Sequence, residues 1–527
     1  MREDEPWSFM PARPLRMRRQ KRRNRLTLAV ACLLMMAGCH SASRDLRTLV
    51  FLIESSPANL DPRIGADAQS QRIDALLFDG LVAHDESFQF TPSLAQSWEQ
   101  PDPLTWVFHL RDGVRFQDGR ELTARDVEWT VNSMRDGTVI SPKAAAYASV
   151  QNVEAQDART VVFHLKYADN FLLSNLATGA LGVVPEGSGP EFWRHPIGTG
   201  PFRFVSQQMD LDVLLERNLL SWRVVPQIER VRFAVVPDGI TEALELEKGS
   251  GDVAINSLAM DALPELAARP NLQIEDSPGT EIQYLAFNVR DPLLSDVRVR
   301  QAVACAIDRG LIIRTLLGGH AQPAESLLPP THWAWTGAVA HYDYDPSRAE
   351  QLLDAAGYRR RSDGVRLHLT MKTSNAEDVR LLAAVLQQQL ARVGIALDLR
   401  SFEFATFYSD VTRGAFQMYS LRWIGGNEQP DIFSYVFATR NFSPRGGNRG
   451  HYSNPHLDAL LDDAAQSTNQ ERRRKDYVAA QQILAQQLPA INLWYLDTVV
   501  VHNRRLTHVV PAPSGSYTFL ETAQLSQ

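Results

Sequence analysis

The sequence predicts an α/β protein that contains parallel sheet. A strand at residues 366–372 is followed by a helix at 376–393, a stop at Gly394 and a second strand at 395–401. A β-α-β order of this kind brings its two strands side by side in parallel. Short strands dominate the chain up to about residue 289, and helical periodicity dominates after it. The predicted fold class is therefore α/β.

The composition is that of a globular protein with a large interior. Of the 527 residues, 44% are hydrophobic and 22% are charged, which predicts two or three domains and excludes disorder as the overall character. The net charge is −7, but residues 1–38 hold nine basic and three acidic residues, which leaves −13 on the rest of the chain. An acidic body argues against nucleic acid as a partner.

The N-terminus has the layout of an export signal. Seven basic residues between Arg16 and Arg25 precede an apolar run at residues 26–37 and then Gly38 and Cys39. This order predicts a signal peptide at 1–38 and a tether at 39–45, because the apolar run is about half the length that spans a bilayer. Met17 would open a more ordinary signal peptide than Met1.

The segment Met36–Cys39 resembles the lipobox of bacterial lipoproteins, whose cysteine is lipidated and becomes the mature N-terminus. The resemblance implies a membrane anchor through lipid on Cys39. The alternative is ordinary cleavage with Cys39 discarded or left free. With Cys32 and Cys305 as the other cysteines, the chain can build neither a disulfide framework nor a Cys-rich metal site.

The N-terminal half of the body contains the clearest strands. Apolar β-forming runs occupy residues 46–53, 105–110, 160–165 and 282–289, and residues 211–236 are rich in strand. Thr123 followed by Asp126 predicts a capped helix at 124–134.

Helices dominate the second half. Apolar residues from Val299 to Ile307 recur at helical spacing, which predicts one helix from about Ser295. Asp345-Pro346 and Gly357 are start and stop signals of another helix. Further helices at 405–413, 455–465 and 471–487 are interrupted by strands at 416–423 and 491–495.

No enzyme motif is present in the sequence. It lacks His-Glu-x-x-His, Gly-x-Ser-x-Gly and the phosphate-binding Gly-x-x-x-x-Gly-Lys-Ser/Thr pattern. We therefore predict no catalytic residues, no metal site and no cofactor, and binding as the function.

Several ordered blocks resemble a known family. They closely resemble family 5 extracellular solute-binding proteins, the peptide, dipeptide and nickel receptors of ABC importers. The blocks include residues 60–62, 77–82, 92–98, 105–116, 122–127, 198–202, 285–288, 296–302, 306–309 and 344–353.

The resemblance implies the fold of a type II periplasmic binding protein. Two lobes would close on a ligand about a hinge near Thr280 and Asp497, with an extra α+β domain in the N-terminal lobe. The implied boundaries are 45–80, 195–280 and 497–527 for lobe I, 81–194 for the extra domain, and 281–496 for lobe II.

The resemblance also implies where a ligand would lie. In peptide-binding relatives an extended ligand pairs with backbone, and the matching segments here are Ala58–Leu60, with Asn59, and Leu421–Asn427. The family pattern Trp-x-x-Asp, whose aspartate grips the peptide's α-ammonium, becomes Trp423 followed by Gly426. Either Glu428 or Asp431 replaces that carboxylate, or the ligand has no free amine.

The remaining candidates have competing interpretations. Trp423 either lines the cleft or packs in a core, and Arg422 either binds a carboxylate or faces solvent. The full set of predicted ligand-binding residues is Asn59, Leu60, Asn288, Arg422, Trp423, Asn427, Glu428, Asp431, Trp494 and Tyr495.

We thus predict a monomeric, lipid-anchored receptor, periplasmic or at the cell surface, that delivers an oligopeptide or dipeptide to an ABC-importer permease. Two alternatives stay open. One is a receptor of the same fold for a sugar or metal chelate, and the other is a peptide-binding, chaperone-like protein without a transport role.

Overall fold

A computed structural model describes residues 45–179, 181–424 and 428–526. The predicted signal peptide, most of the tether and Cys39 lie outside these residues. The chain divides into two units after Leu46, and the described strands and helices all belong to the unit that begins at Arg47.

The strands and helices are spread along the whole unit. The strands are β1 Thr48–Ile53, β2 Val82–His84, β3 Phe90–Pro92, β4 Ala95–Asp102, β5 Thr105–Leu110, β6 Val150–Ala155, β7 Thr160–Leu165, β8 Phe202–Gln208, β9 Asp212–Arg217, β10 Arg230–Val235, β11 Val253–Ile255, β12 Leu272–Ser277, β13 Ile282–Phe287, β14 Ala321–Pro323, β15 Leu367–Ser374, β16 Ile395–Phe402, β17 Met418–Trp423, β18 Ala490–Leu496, β19 Thr498–Asn503, β20 Leu506–Thr507 and β21 Gln524–Leu525. The α-helices are α1 Ala68–Leu77, α2 Ala124–Arg135, α3 Leu172–Asn175, α4 Gly239–Glu247, α5 Leu263–Ala267, α6 Val297–Cys305, α7 Arg309–Leu316, α8 Pro346–Ala355, α9 Glu377–Arg392, α10 Phe404–Thr412, α11 Ile432–Phe437, α12 Pro455–Gln466 and α13 Gln470–Gln487.

A seven-stranded sheet joins the two ends of the unit. Its order is β12-β19-β11-β1-β10-β9-β8, so β19, from near the C-terminus, lies between strands of the N-terminal half. β1 is central and parallel to both neighbours. Its run Thr-Leu-Val-Phe-Leu-Ile is apolar and almost wholly buried, as expected for a strand covered on both faces.

A four-stranded antiparallel sheet, β4-β5-β7-β6, is built from residues 95–165. Buried residues alternate with half-buried ones along β5 and β7, which places Phe108 and Phe163 on one apolar face. The predicted capping box of α2 is confirmed, since the Thr123 backbone N–H donates to Asp126 Oδ2 at 2.8 Å.

A six-stranded sheet, β14-β18-β13-β17-β15-β16, uses residues 282–496. The predicted β-α-β unit is confirmed within it, because β15 and β16 are parallel over eight residue pairs and α9 connects them. Gly394 ends that connection at φ +85°, a left-handed conformation that favours glycine. Cys305 lies buried in the core of this sheet as a free thiol.

The helix predicted from about Ser295 is confirmed as α6, and a second helix that was not predicted follows it. α6 ends at Cys305 and α7 begins at Arg309. The Asp308 carboxylate accepts a hydrogen bond from the Leu311 N–H at 2.8 Å and so starts the second helix. Ile307 is buried between the two helices.

Candidate functional site

Three parallel strands of the six-stranded sheet end at one edge. β15 is parallel to both β16 and β17, so Ser374, Phe402 and Trp423 finish on the same side. The helices α9 and α10 begin just beyond this edge. In open α/β sheets, ligands bind outside the carboxyl ends of parallel strands.

The chain crosses between the two large sheets twice at this same edge. Ile282, the first residue of β13, is paired with Trp423 on one side and Tyr495 on the other. In the seven-stranded sheet the crossings begin or end at Ser277, the last residue of β12, and Thr498, the first residue of β19. These two residues are paired across the strands. β1 runs in the same direction as β12, so the carboxyl ends of β1 and β17 both lie on the side of the crossings. The space beside the crossings is the candidate ligand cleft.

Four aromatic side chains lie at the edge of the six-stranded sheet beside this space, and we call Phe404, Tyr408, Trp423 and Tyr435 the aromatic wall. Phe404 is 52% exposed, Tyr435 47% and Tyr408 38%. The rings of Phe404 and Tyr408 stack at a centroid distance of 5.8 Å, and Trp423 meets Tyr435 edge-on at 6.0 Å. A cluster of exposed apolar rings is typical of a binding surface.

The segment around Gly447 packs against the aromatic wall. A Cβ atom on Gly447 would lie 2.6 Å from Cε1 of Tyr435 and 3.3 Å from Cη2 of Trp423. Any side chain at this position would displace the two rings, so glycine is required for the wall to keep its shape.

Arg449 lies behind the wall. It is 7% exposed, and its guanidinium donates to the hydroxyls of Tyr284 at 3.0 Å and Tyr408 at 2.9 Å. The guanidinium carbon is 5.1 Å from the ring centroids of both Tyr408 and Trp423. Burial raises the pKa of Tyr284 well above its usual value, so this phenol is neutral. An open recess of about 400 Å³ borders Arg449.

The loop that carries Arg449 is fixed by Asn448. The Asn448 side-chain amide donates to the carbonyls of Phe437 and Ala438 at 3.1 Å and of Tyr452 at 2.8 Å. Sequence reasoning missed Arg449. The signal that could have found it is an arginine between Gly447 and Gly450 in a glycine-rich loop, where the backbone approaches other atoms closely.

Trp423 is half-buried: it packs against other rings, and its role in a ligand cleft stays a prediction. Its ring stacks on Tyr284 at 5.6 Å with an interplanar angle of 14°, while its buried Nε1 has no acceptor among the described residues. Arg422 is exposed, but it donates to Gln283 Oε1 and Asp378 Oδ2, each at 3.1 Å. Its charge is therefore already paired.

The two predicted replacements for the missing carboxylate differ in their surroundings. Asp431 accepts a hydrogen bond from the Tyr477 hydroxyl at 2.5 Å and lies 3.7 Å from Arg473 Nη2. Its carboxylate therefore already has partners within the protein. No donor in the described part of the chain contacts the Glu428 carboxylate, and burial raises the pKa of Glu428 to about 7. Asn427 lies outside the described residues.

On the opposite side of the cleft, Asn59 shapes the loop after β1. Its Oδ1 accepts from the Asp61 N–H at 2.8 Å, and its own N–H donates to Ser70 Oγ at 3.1 Å. Leu60 is completely buried in the core of the seven-stranded sheet. The side chain of Leu60 therefore does not face the cleft, and Asn59 lies at its margin.

Three other predicted residues are not brought into the cleft. Asn288 follows the far end of β13, about 20 Å from Trp423 along the strand, and its amide donates to the carbonyls of Gly414 and Phe416. Trp494 and Tyr495 lie on β18 with both side chains buried. The Tyr495 hydroxyl donates to the Ser326 and Leu328 carbonyls.

A loop next to the four-stranded sheet contacts residues 332–333 and Gln429, beside Glu428. The Phe88 ring stacks on His332 at 5.6 Å, and the Ser87 carbonyl accepts from the Trp333 N–H at 3.2 Å. The Gln429 amide donates to His84 Nε2 at 2.9 Å. Burial lowers the pKa of His332 to about 4 and also lowers that of His84, so both rings are neutral at pH 7.

Within the described ranges, no group of three His, Cys, Asp or Glu side chains is arranged to hold a metal ion. None of the helices in the same ranges combines the length and hydropathy needed to cross a bilayer.

Comparison with known proteins agrees with this architecture. Residues 89–443 match the middle region of the bacterial extracellular solute-binding proteins, family 5. Heme-binding protein A of Haemophilus influenzae is 28% identical over 93% of this chain and 97% of that protein. Di/tripeptide-binding protein 1 of Pseudomonas aeruginosa is 27% identical over 90% of this chain and 94% of that protein.

The fold is shared with solved structures. That of HbpA2 from Haemophilus parasuis has a TM-score of 0.80 at 25% identity, covering 91% of this chain and 100% of the other. The predicted fold of a type II periplasmic binding protein is thereby confirmed. The chain belongs to the bacterial extracellular solute-binding proteins of family 5, and it is a solute-binding receptor rather than an enzyme.

Proposed function

We propose that this receptor holds a short peptide between its two large sheets, outside the cytoplasm, and delivers it to the permease of an ABC importer. The observation that supports the proposal is that one strand from each large sheet ends beside the same space. The carboxyl ends of β1 and β17 lie on the side of the crossings, and one of them bears the aromatic wall.

The proposed lobes follow the three sheets. Lobe I is 45–80, 195–280 and 497–527, the extra domain is 81–194, and lobe II is 281–496. The seven-, four- and six-stranded sheets each draw their strands from one of these sets of residues, which supports the division. The two crossings then form the hinge between the lobes.

A di- or tripeptide is the first candidate ligand. Support comes from the likeness over most of the chain to a protein named for di- and tripeptide binding, and from apolar rings that suit varied side chains. A second candidate is a flat non-peptide ligand such as a heme or a metal chelate. It is favoured by the glycine at position 426, where the amine-gripping aspartate of peptide receptors would stand.

Calorimetry on the full-length protein in detergent tests the ligand class. We expect pools of di- and tripeptides to bind, and Trp423→Ala to weaken that binding at least tenfold because it removes the centre of the wall. Trp193→Ala, a change next to Arg194 on the extra domain, is the matched control and should not alter affinity. Binding of hemin or nickel–histidine, with none of any peptide, would replace the first candidate by the second.

The proposed anchor is lipid on Cys39, supported by the order Met36-Ala37-Gly38-Cys39 after the apolar run. Cells that express the receptor should incorporate radiolabelled palmitate into it and retain it in the membrane fraction. Cys39→Ala should abolish the label and release the protein, whereas Cys305→Ala should do neither. An unlabelled wild-type protein in the soluble fraction would refute the anchor.

The proposed receptor is a monomer that acts with a permease. Light scattering of the detergent-purified protein should therefore give one chain per particle. Deleting the gene should abolish uptake of the ligand identified above, and uptake that is unchanged would argue for the chaperone-like alternative.

A further inference from the structure

Arg449 carries a buried positive charge without a carboxylate. In the described part of the chain, no Asp or Glu makes an ion pair with it, and its partners are the hydroxyls of Tyr284, Tyr408 and Tyr419 and the ring faces of Tyr408 and Trp423. Removing an unpaired ion from water is costly. A charge of this kind is retained most easily when a ligand supplies its counter-ion.

A second buried arginine shows how the fold satisfies a purely structural charge. Arg300 also has no carboxylate partner, but its N–H groups donate to four backbone carbonyls. Two of these are the carbonyls of Gln487 and Leu488 at the end of α13, where the helix dipole places partial negative charge. Around Arg449 the partners are hydroxyl groups rather than carbonyls at a helix end. Burial raises the pKa of Tyr284 and of Tyr419, so these two phenols supply no negative charge.

The acids nearest the aromatic wall do not supply the missing charge. Asp378 is paired with Arg422, and Asp431 with Arg473 and the Tyr477 hydroxyl. Glu428 lies in surroundings that favour its neutral form. Glu403 accepts from the backbone N–H groups of Ala405 and Thr406, and Asp410 is paired with Lys372 and Arg413. Among the described residues, none of these carboxylates makes an ion pair with Arg449.

Among the tyrosines that accept a hydrogen bond from Arg449, Tyr408 is the exposed one. Its hydroxyl oxygen accepts from Arg449, which leaves its own hydrogen to donate, and donation is strengthened by the neighbouring cation. Tyr408 belongs to the aromatic wall and is 38% exposed. An anion hydrogen-bonded to this hydroxyl would be separated from the Arg449 guanidinium only by the Tyr408 hydroxyl group.

We propose that the ligand binds through a carboxylate at Tyr408 and Arg449, with an apolar group against the aromatic wall, and that it needs no free α-ammonium. The proposal rests on the receptor function proposed above. For a peptide, the bound group is the C-terminal carboxylate.

Two fragments with the same ring and opposite charge test the carboxylate directly. Saturation-transfer NMR on the full-length protein would compare 3-phenylpropionate with 3-phenylpropylamine. We expect transfer to the carboxylate and at least tenfold less to the amine. Equal transfer, stronger transfer to the amine, or none to either would overturn the assignment.

Blocked peptides separate this proposal from the choice of a peptide as ligand. An equimolar pool of di- and tripeptides ending in Phe, Leu or Ala would be offered free, N-acetylated and C-amidated. We expect acetylation to change retention less than threefold and amidation to lower it at least thirtyfold. The reverse pattern would overturn the carboxylate site and keep the peptide receptor. If no peptide is retained but 3-phenylpropionate binds, the peptide ligand is refuted and the carboxylate site stands.

Tyr408→Phe keeps the ring and removes the donor, so affinity for 3-phenylpropionate should fall at least tenfold. Tyr344→Phe, an exposed tyrosine that accepts from Arg392 at 3.3 Å, is the matched control. Arg449→Met should abolish the preference for the carboxylate fragment. If that variant does not fold, Tyr408→Phe alone decides, and unchanged affinity in it would refute the site.

Discussion

Arg63 and Arg449 are both buried, but their charges are balanced in opposite ways. Arg63 has a bidentate partner, since its Nε and Nη2 donate to the two oxygens of Asp61 at 2.9 and 2.7 Å. It also donates to Ser133 Oγ and to the carbonyls of Ser188 and Gly189. Among the described residues, the side-chain partners of the Arg449 guanidinium are tyrosine hydroxyls and aromatic ring faces.

The two arginines therefore differ in role: Arg63 has a structural role, and Arg449 is the candidate for binding a ligand. The Arg63 ion pair is complete within the chain and joins the loop after β1 to α2 and residues 188–189. Such a pair fixes a conformation and leaves nothing for a ligand. The charge of Arg449 is incomplete within the described chain, so it has the capacity to select an anion. Four variants test this contrast.

Arg63→Met should have the largest effect. It removes the bidentate partner of the buried Asp61 carboxylate, and breaking a buried pair in this way costs about 3–5 kcal/mol of unfolding free energy. Urea unfolding at pH 7 would measure it. The double variant Arg63→Met with Asp61→Leu should recover most of the loss, and a loss below about 1 kcal/mol in the single variant would contradict the pairing.

Glu428→Gln should stabilise the ligand-free protein in a pH-dependent way. Burial raises the pKa of Glu428 from 4.5 to about 7, so the unfolded state loses its proton first as the pH rises and stability falls between these values. The loss is complete above pH 7, at about 2 kcal/mol after allowance for partial exposure. The variant should therefore exceed wild type by that amount at pH 8 and equal it at pH 4.5. A constant difference across this range would contradict the assignment.

Asn59→Ala should cost about 1 kcal/mol. The buried N–H of Asp61 loses its acceptor, which loosens the turn that presents Asp61 to Arg63. Chemical unfolding at pH 7 would measure the change. Asn152→Ala, an exposed change on β6, is the control and should lie within about 0.5 kcal/mol of wild type.

Arg449→Met should have the smallest effect on stability, less than about 1 kcal/mol in either direction, because it removes a buried charge that has no internal counter-ion. The same unfolding measurement applies. A loss of about 3 kcal/mol or more would place Arg449 with Arg63 as a structural charge and remove the contrast.

Much of the fold could be predicted from local sequence signals. The β-α-β unit at 367–402, the capping box at Thr123 and the stop at Gly357 all depend on residues close together in the chain. The short helix α7 was not predicted, because its apolar residues 311–313 are consecutive rather than spaced at helical intervals. The four- and seven-stranded sheets depend on pairings between distant segments, which no short pattern specifies.

Of the residues predicted to bind ligand, Trp423 and Asn59 lie near the candidate cleft, and their role stays a prediction. Asn288 was a wrong choice by position, because antiparallel pairing with β17 carries it to the far end of the sheet. Trp494 and Tyr495 face opposite sides of β18, and both sides are covered. Arg449 was missed because a missing counter-ion is a property of the folded surroundings rather than of the sequence.

The two crossings between the sheets have a mechanical consequence. They are hydrogen-bonded to each other, with the Leu496 N–H donating to the Glu281 carbonyl at 2.8 Å, and a Cβ atom on Gly279 would lie 2.1 Å from the Leu496 carbonyl oxygen. Two cross-linked strands bend as one ribbon and resist sliding past each other. Opening and closing should thus follow one axis of rotation, and each closure would return the aromatic wall to the same position opposite the loop after β1.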